Sequence, residues 1–199
     1  MLHAALALAL LAAAAPYDDL KAKAAVVERL PSTVAALVGV CPDGLVIDEF
    51  EECKKNLGTA AKAWAGKTVV VNIGAIDPAF LSLGARGATT AKFVWAPLLD
   101  LGNELALTIG KPEKLSSTGS IVVGRKPFEG PCDDTLLESD LQRAAKTGQV
   151  GVELVGTFGK PWQLNGAGKI VRGIAFEPKA VRFFHTRTGK VLVDVALEK

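Results

Sequence analysis

From Lys67 onward the apolar residues stop recurring every third or fourth position and begin recurring every second. KTVVVNIGAI sets Val69, Val71 and Ile73 against Val70 and Asn72, and ELALTIG sets Leu105, Leu107 and Ile109 against Glu104, Ala106 and Thr108. Residues two apart share one face of an extended chain, and β-branched side chains suit that pleated surface, so both segments predict strands. AKFVWAP, SIVVG, VGVELVGTF, KIVRGIAFE, AVRFFH and KVLVDVAL predict more, each bounded by Gly, Pro or Asn turns. Thr186-Arg187-Thr188-Gly189, between the last two, is a hairpin signal. Strands that follow one another without a helix between each pair argue for an antiparallel sheet and against a doubly wound fold.

Helical spacing appears elsewhere. Tyr17 to Leu30, rich in Ala, Lys and Glu, predicts a helix stopped by Pro31, with Ser32 capping a short second one through Val38. Phe50, Cys53, Leu57, Ala60, Ala61 and Trp64 form the apolar stripe of a longer helix that starts at Asp48 and ends at Gly66. Glu51 stands three residues after Asp48, as in a capping box. Glu49, Glu51 and Glu52 fall in the first turn, where carboxylates favour the positive end of the helix dipole, so the acidic cluster needs no metal. TLLESDLQRAAKT, capped by Asp133 or Asp134 and closed by Gly148, predicts the last helix.

The order is helix, three or four strands, helix, three or four strands. It predicts an α+β, mostly antiparallel β fold: a partly open Greek-key barrel with a helix between the third and fourth strands, preceded by N-terminal helices. A pair of helix-plus-four-strand units also fits the order, but no residue-level repeat supports duplication. AAKAWAGKTVVVNIGAI, followed by the last helix and KTGQVGVELVGTF, resembles the oligonucleotide/oligosaccharide-binding (OB) architecture of exported bacterial OB-like domains of unknown function. The resemblance spans roughly residues 50–195 in element order. Its local feature is a Gly-Lys or Gly-Gln step before a Val-rich strand, at Gly66-Lys67 and Gly148-Gln149. It implies the barrel and carries no catalytic residue across.

The opening MLHAALALALLAAAAP has an apolar run too short for a bilayer, which takes about 20 residues, and an Ala12-Ala13-Ala14 end that fits signal cleavage. No Lys or Arg precedes the apolar run. The chain is expected to be periplasmic or secreted, with no transmembrane span after cleavage. It divides into a signal peptide at 1–14, an N-terminal helical segment at 15–47 and the β-rich OB-like domain at 48–199. Oxidising compartments favour disulfides, and three cysteines allow one bridge with one thiol left over. Cys41–Cys53, flanking a Pro-Asp-Gly turn and a helix start, is the expected pair, and Cys53–Cys132 competes with it.

Charge and motifs narrow the function classes. The net charge is +2, which argues against a dedicated nucleic-acid binder. Residues 17–57 carry five Lys/Arg against eight Asp/Glu, and residues 160–199 carry eight against three, so the C-terminal strands are basic. A single histidine, His185, lies beyond the leader, and no Gly-x-Ser-x-Gly elbow, Cys-x-x-Cys pair or calcium-loop order is present. Gly166-Ala167-Gly168-Lys169 lacks the Ser or Thr of a phosphate loop and precedes a strand. Three readings follow. The first is a non-enzymatic binder of a partner protein or small ligand, without cofactor or metal. Its site combines Trp162, a stacking surface in the loop GTFGKPWQLNGAGK, with the cations Lys160, Lys169, Arg172, Arg182 and Arg187. The second is a thiol enzyme with Cys132 as nucleophile and His185 as its base. The third is a binder of nucleic acid or another anionic polymer through the basic C-terminal strands, with an affinity that falls steeply with salt.

Overall fold

The structure, a computed structural model, describes residues 16–41, 46–83, 90–96, 98–124, 126–131 and 140–197. In chain order they form α1 (Pro16–Ala22), β1 (Ala25–Val26), α2 (Leu30–Val38), α3 (Ile47–Trp64), β2 (Val69–Ala75) and a 3-10 turn (Pro78–Phe80). Then come β3 (Leu81–Leu83), β4 (Thr90–Trp95), β5 (Leu98–Gly102), β6 (Leu105–Ile109), β7 (Lys114–Leu115), β8 (Ile121–Val122) and β9 (Lys126–Pro131). The chain closes with α4 (Asp140–Lys146), β10 (Val150–Gly166), β11 (Lys169–His185) and β12 (Val191–Ala196).

The architecture is α+β with a mostly antiparallel sheet, as the alternation requires. The main sheet runs β1-β2-β10-β11-β6-β5, and β12 joins β11 as well. Only β1–β2 and β6–β11 pair in parallel among the described strands. A β3-β4-β9 sheet and a β7–β8 hairpin complete it. The sheet path ends at β1 and β5 without joining them, so the described strands do not form a closed barrel. The expected helix between the third and fourth strands also needs correction, since α4 separates the ninth strand from the tenth. Several of the extra strands have only two or three residues, too few for a period of two to show in sequence.

β10 and β11 are each 17 residues long and form one bent hairpin around the turn at Ala167 and Gly168, whose φ angles are 49° and 75°. KIVRGIAFE and AVRFFH are therefore one strand, not two. Val155 pairs with Ala180 and Gly156 with Pro178, which leaves Lys179 as a bulge. Proline has no N–H to donate, so Pro178 is admitted where the ladder skips a residue. The bulge reverses the alternation: Ile174 and Phe176 before it and Val181 and Phe183 after it enter the same core. GTFGKPWQLNGAGK is likewise strand nearly throughout, with Pro161 at the second register shift of β10.

The N-terminal helices differ in their bounds from the sequence expectation. α1 stops at Ala22, and Pro31 lies inside the first turn of α2 instead of ending a helix there. A first-turn N–H has no intrahelical acceptor, so proline loses nothing at that position. α3 starts at Ile47, and the backbone N–H of Val46 donates to the Glu49 carboxylate at 3.3 Å.

The principal core lies on one face of the main sheet, beneath α2, α4 and the β3-β4-β9 sheet. Phe158 meets Phe176 edge-on at 5.6 Å, and Trp95 meets Phe183 at 6.0 Å. Such aromatic pairs contribute about 0.5–1.5 kcal/mol beyond area burial. The other face carries two smaller clusters. Tyr17, Val70, Val155 and Ala180 pack beside Leu20 of α1, and Ala106, Trp162 and Val171 pack beside Leu115 and Ile121 of the β7–β8 hairpin. α3 is peripheral. It packs chiefly on α2 and sets Trp64 edge-on to Phe158 at 6.4 Å. Cys53 of its second turn is joined to Cys41 in a disulfide, with Cα atoms 6.0 Å apart, as expected. Cys132 lies outside the described residues. Among the described residues no helix is long and apolar enough to cross a membrane.

Candidate functional site

The six residues expected to form a basic, aromatic surface do not all share one face of the sheet. Trp162 sits in β10 opposite Gly173 and is only 7% exposed. Its indole N–H donates to Thr108 Oγ1 at 3.1 Å, and the Thr108 hydroxyl donates to the Gly110 carbonyl at 2.6 Å. The ring fills the place of a side chain at residue 173, where a Cβ would lie 2.2 Å from it. Trp162 is thus core on one side, although it also borders a recess of about 220 Å³ with Val38, Pro161, Gln163 and Arg172. Arg172 pairs across the hairpin with Gln163 and donates to its side-chain carbonyl at 3.2 Å. Lys160, Lys169 and Arg187 are exposed.

Arg182 is largely buried and fully engaged. Its Nε and Nη2 donate to the two oxygens of Asp194 at 2.8 and 2.7 Å, and Nη1 lies 3.0 Å from Asp18 Oδ1. The hydrogen bonds to Asp194 hold it charged above the ordinary guanidinium range. Its guanidinium stacks 4.1 Å from the centroid of the Tyr17 ring. The Tyr17 hydroxyl donates to Glu153 Oε1 at 2.7 Å, and Lys21 Nζ meets the same oxygen at 2.7 Å. Burial, then the bond to Glu153, pushes the Tyr17 phenol well above its ordinary range and keeps it neutral. Two cations face three carboxylates, and together they clamp α1 onto β10, β11 and β12. In an unbulged strand Arg172 and Arg182 would share a face; the Lys179 bulge puts them on opposite faces.

A different group converges where α4 crosses the end of the β11–β12 hairpin. A groove of about 390 Å³ is lined there by Asp140, Arg143, Gln149, His185, Thr188 and Lys190, with Ala144 and Leu192 among its apolar walls. Local chemistry builds each part. Asp140 and Arg143 are three apart and share one face of α4. Gly148, at φ 65°, closes the helix, and the Gln149 N–H donates to the Ala144 carbonyl at 2.8 Å. On the hairpin, the His185 N–H donates to the Lys190 carbonyl and the Gly189 N–H to the His185 carbonyl, both at 2.8 Å.

The polar groups of this groove are mostly donors. The Asp140 carboxylate accepts from Lys190 and from Arg143, which together hold it below the usual carboxylate range. His185 Nδ1 accepts the Arg187 backbone N–H at 3.2 Å, so the neutral ring carries its proton on Nε2. Thr188 Oγ1 accepts the Lys190 N–H at 3.3 Å, which leaves its hydroxyl hydrogen to donate elsewhere. His185 was legible as the one histidine after His3, paired in expectation with Cys132. Asp140, Arg143, Gln149, Thr188 and Lys190 were missed as a set. Their only signal was the i,i+3 spacing on a predicted helix and a hairpin turn, and neither says that the two meet. Among the described residues no cluster of His, Cys, Asp and Glu is arranged to hold a metal ion.

Comparison with protein-family models, with curated proteins and with solved structures finds no match to this chain.

Proposed function

We propose that this protein is exported and acts as a binding domain, not a catalyst, with the groove between α4 and the β11–β12 turn as the seat of a small ligand or of a partner's side chain. One observation carries the reading: Arg143, Lys190, His185, Gln149 and Thr188 converge on one groove from two distant parts of the chain. The groove's single described carboxylate supports binding over catalysis. Two cations hold Asp140 ionised, whereas a general acid or base works best with a pKa near the operating pH. Export is supported by the apolar leader and by the Cys41–Cys53 disulfide.

Thr188 is exposed, so Thr188→Trp plugs the groove without disturbing the core. Small molecules released from the purified mature protein, compared by mass spectrometry, are expected from wild type and absent from the variant. Equal recovery from both would refute the assignment.

A further inference from the structure

The groove already holds a carboxylate of its own. Lys190 Nζ and Arg143 Nη2 approach from opposite elements and both donate to Asp140, across 50 residues of sequence in the case of Lys190. Among the described residues, two cations against one carboxylate leave one positive charge unmatched, and the remaining polar groups add the donors of His185, Thr188 and Gln149. Ala144 and Leu192 supply apolar wall beside them. A bare inorganic ion would leave that wall uncovered. A volume of about 390 Å³ falls near the small end of ligand pockets, roughly 300–1,000 Å³.

We infer that the groove recognises the carboxylate of a small organic acid, its carbon chain lying on Ala144 and Leu192, and that Asp140 is an internal competitor which the ligand displaces from Arg143 and Lys190. This rests on the groove being the binding seat. Displacement is open to Asp140 because its side chain is 38% exposed, so its carboxylate turns to water when it releases the two cations. A competitor tethered at the site acts at high effective concentration and weakens the apparent affinity for any free acid. Removing its charge while keeping its shape therefore strengthens binding, the opposite of what loss of a ligand contact does.

The test is calorimetric titration of the full mature chain with hexanoate, hexanamide and inorganic phosphate, for wild type, Asp140→Asn and Lys190→Ala. Thermal melts confirm that each variant is folded. Asp140→Asn is expected to bind hexanoate roughly three- to five-fold more tightly than wild type, and Lys190→Ala to bind it more weakly by a similar factor, the range of solvent-exposed ion pairs. Hexanamide and phosphate are expected to bind more weakly than hexanoate. Unchanged or weaker hexanoate binding by Asp140→Asn, or no binding by either protein, overturns the inference; so does phosphate or hexanamide binding as well as hexanoate. Thr188→Trp separates the two readings. If it loses the ligand recovered from wild type while Asp140→Asn fails to tighten hexanoate, the groove stands and the displaced carboxylate falls. If it retains that ligand, both fall.

Discussion

Tyr17 is the chain's single tyrosine and its side chain is fully buried. Its phenol is raised by burial and by the Glu153 carboxylate, so the native state keeps it neutral where an unfolded tyrosine ionises, near pH 10. A folded-state pKa raised above the unfolded value contributes stability in full below the unfolded value and loses it as pH rises toward the folded one. Native protein is therefore expected to show no phenolate absorbance around pH 10, the signal appearing only on alkaline unfolding. Tyr17→Phe removes one hydrogen bond at a cost of about 1 kcal/mol and flattens the alkaline limb of the stability curve. A normal native phenolate titration would contradict this. Trp162 teaches the complementary lesson. An aromatic flanked by lysines reads as a stacking surface, yet Gly173 across the hairpin gives its ring a buried place and Thr108 takes its N–H. Nothing in the local sequence distinguishes these two fates, because the residues that decide are 54 and 11 positions away.

Among the elements, β11 organises the molecule. One of its edges pairs with β10 throughout, and the other is divided between β6 at Arg172–Phe176 and β12 at Ala180–Phe184. The division falls at the Lys179 bulge, where the strand turns its faces over. Lys179→Ala should change stability by only about 0.5 kcal/mol, since the side chain is outside the core. Deleting Lys179 should cost more than ~4 kcal/mol in denaturant unfolding, because it drives Val181 and Phe183 to the wrong face. Equal midpoints for the two variants would show that the bulge does not set the register. Strand type was legible here from β-branched content and period. Continuity through Pro178 was not, because proline reads locally as a break and only the partner strand can absorb the skipped pairing.

At the scale of the whole molecule, the sheet is covered on both faces, and α3 is peripheral to that packing, which it reaches through Trp64. Val46 and Ile47 at its start are 64% and 82% exposed, and the disulfide ties it covalently to Cys41, in the segment just after α2. Closing a loop of this size stabilises by about 3 kcal/mol in the chain-entropy model, here acting on α2 and α3 and not on the sheet. Reduction is expected to lower amide-exchange protection in α3 while β10 and β11 keep theirs. Parallel loss in both would mean that the helix and sheet unfold as one unit. The sequence by itself determined what depends on neighbours: strand and helix periods, the α+β class, the β11–β12 turn, and a disulfide between cysteines 12 residues apart. Only the tertiary structure decided which strands share an edge, which face each side chain takes beyond Lys179, and that Asp140, Arg143, His185 and Lys190 line one groove. The physical reason is range. Period and turn chemistry act over a few residues, whereas strand pairing and the crossing of α4 over the hairpin bring together groups some 40–50 positions apart, whose contact no local pattern encodes.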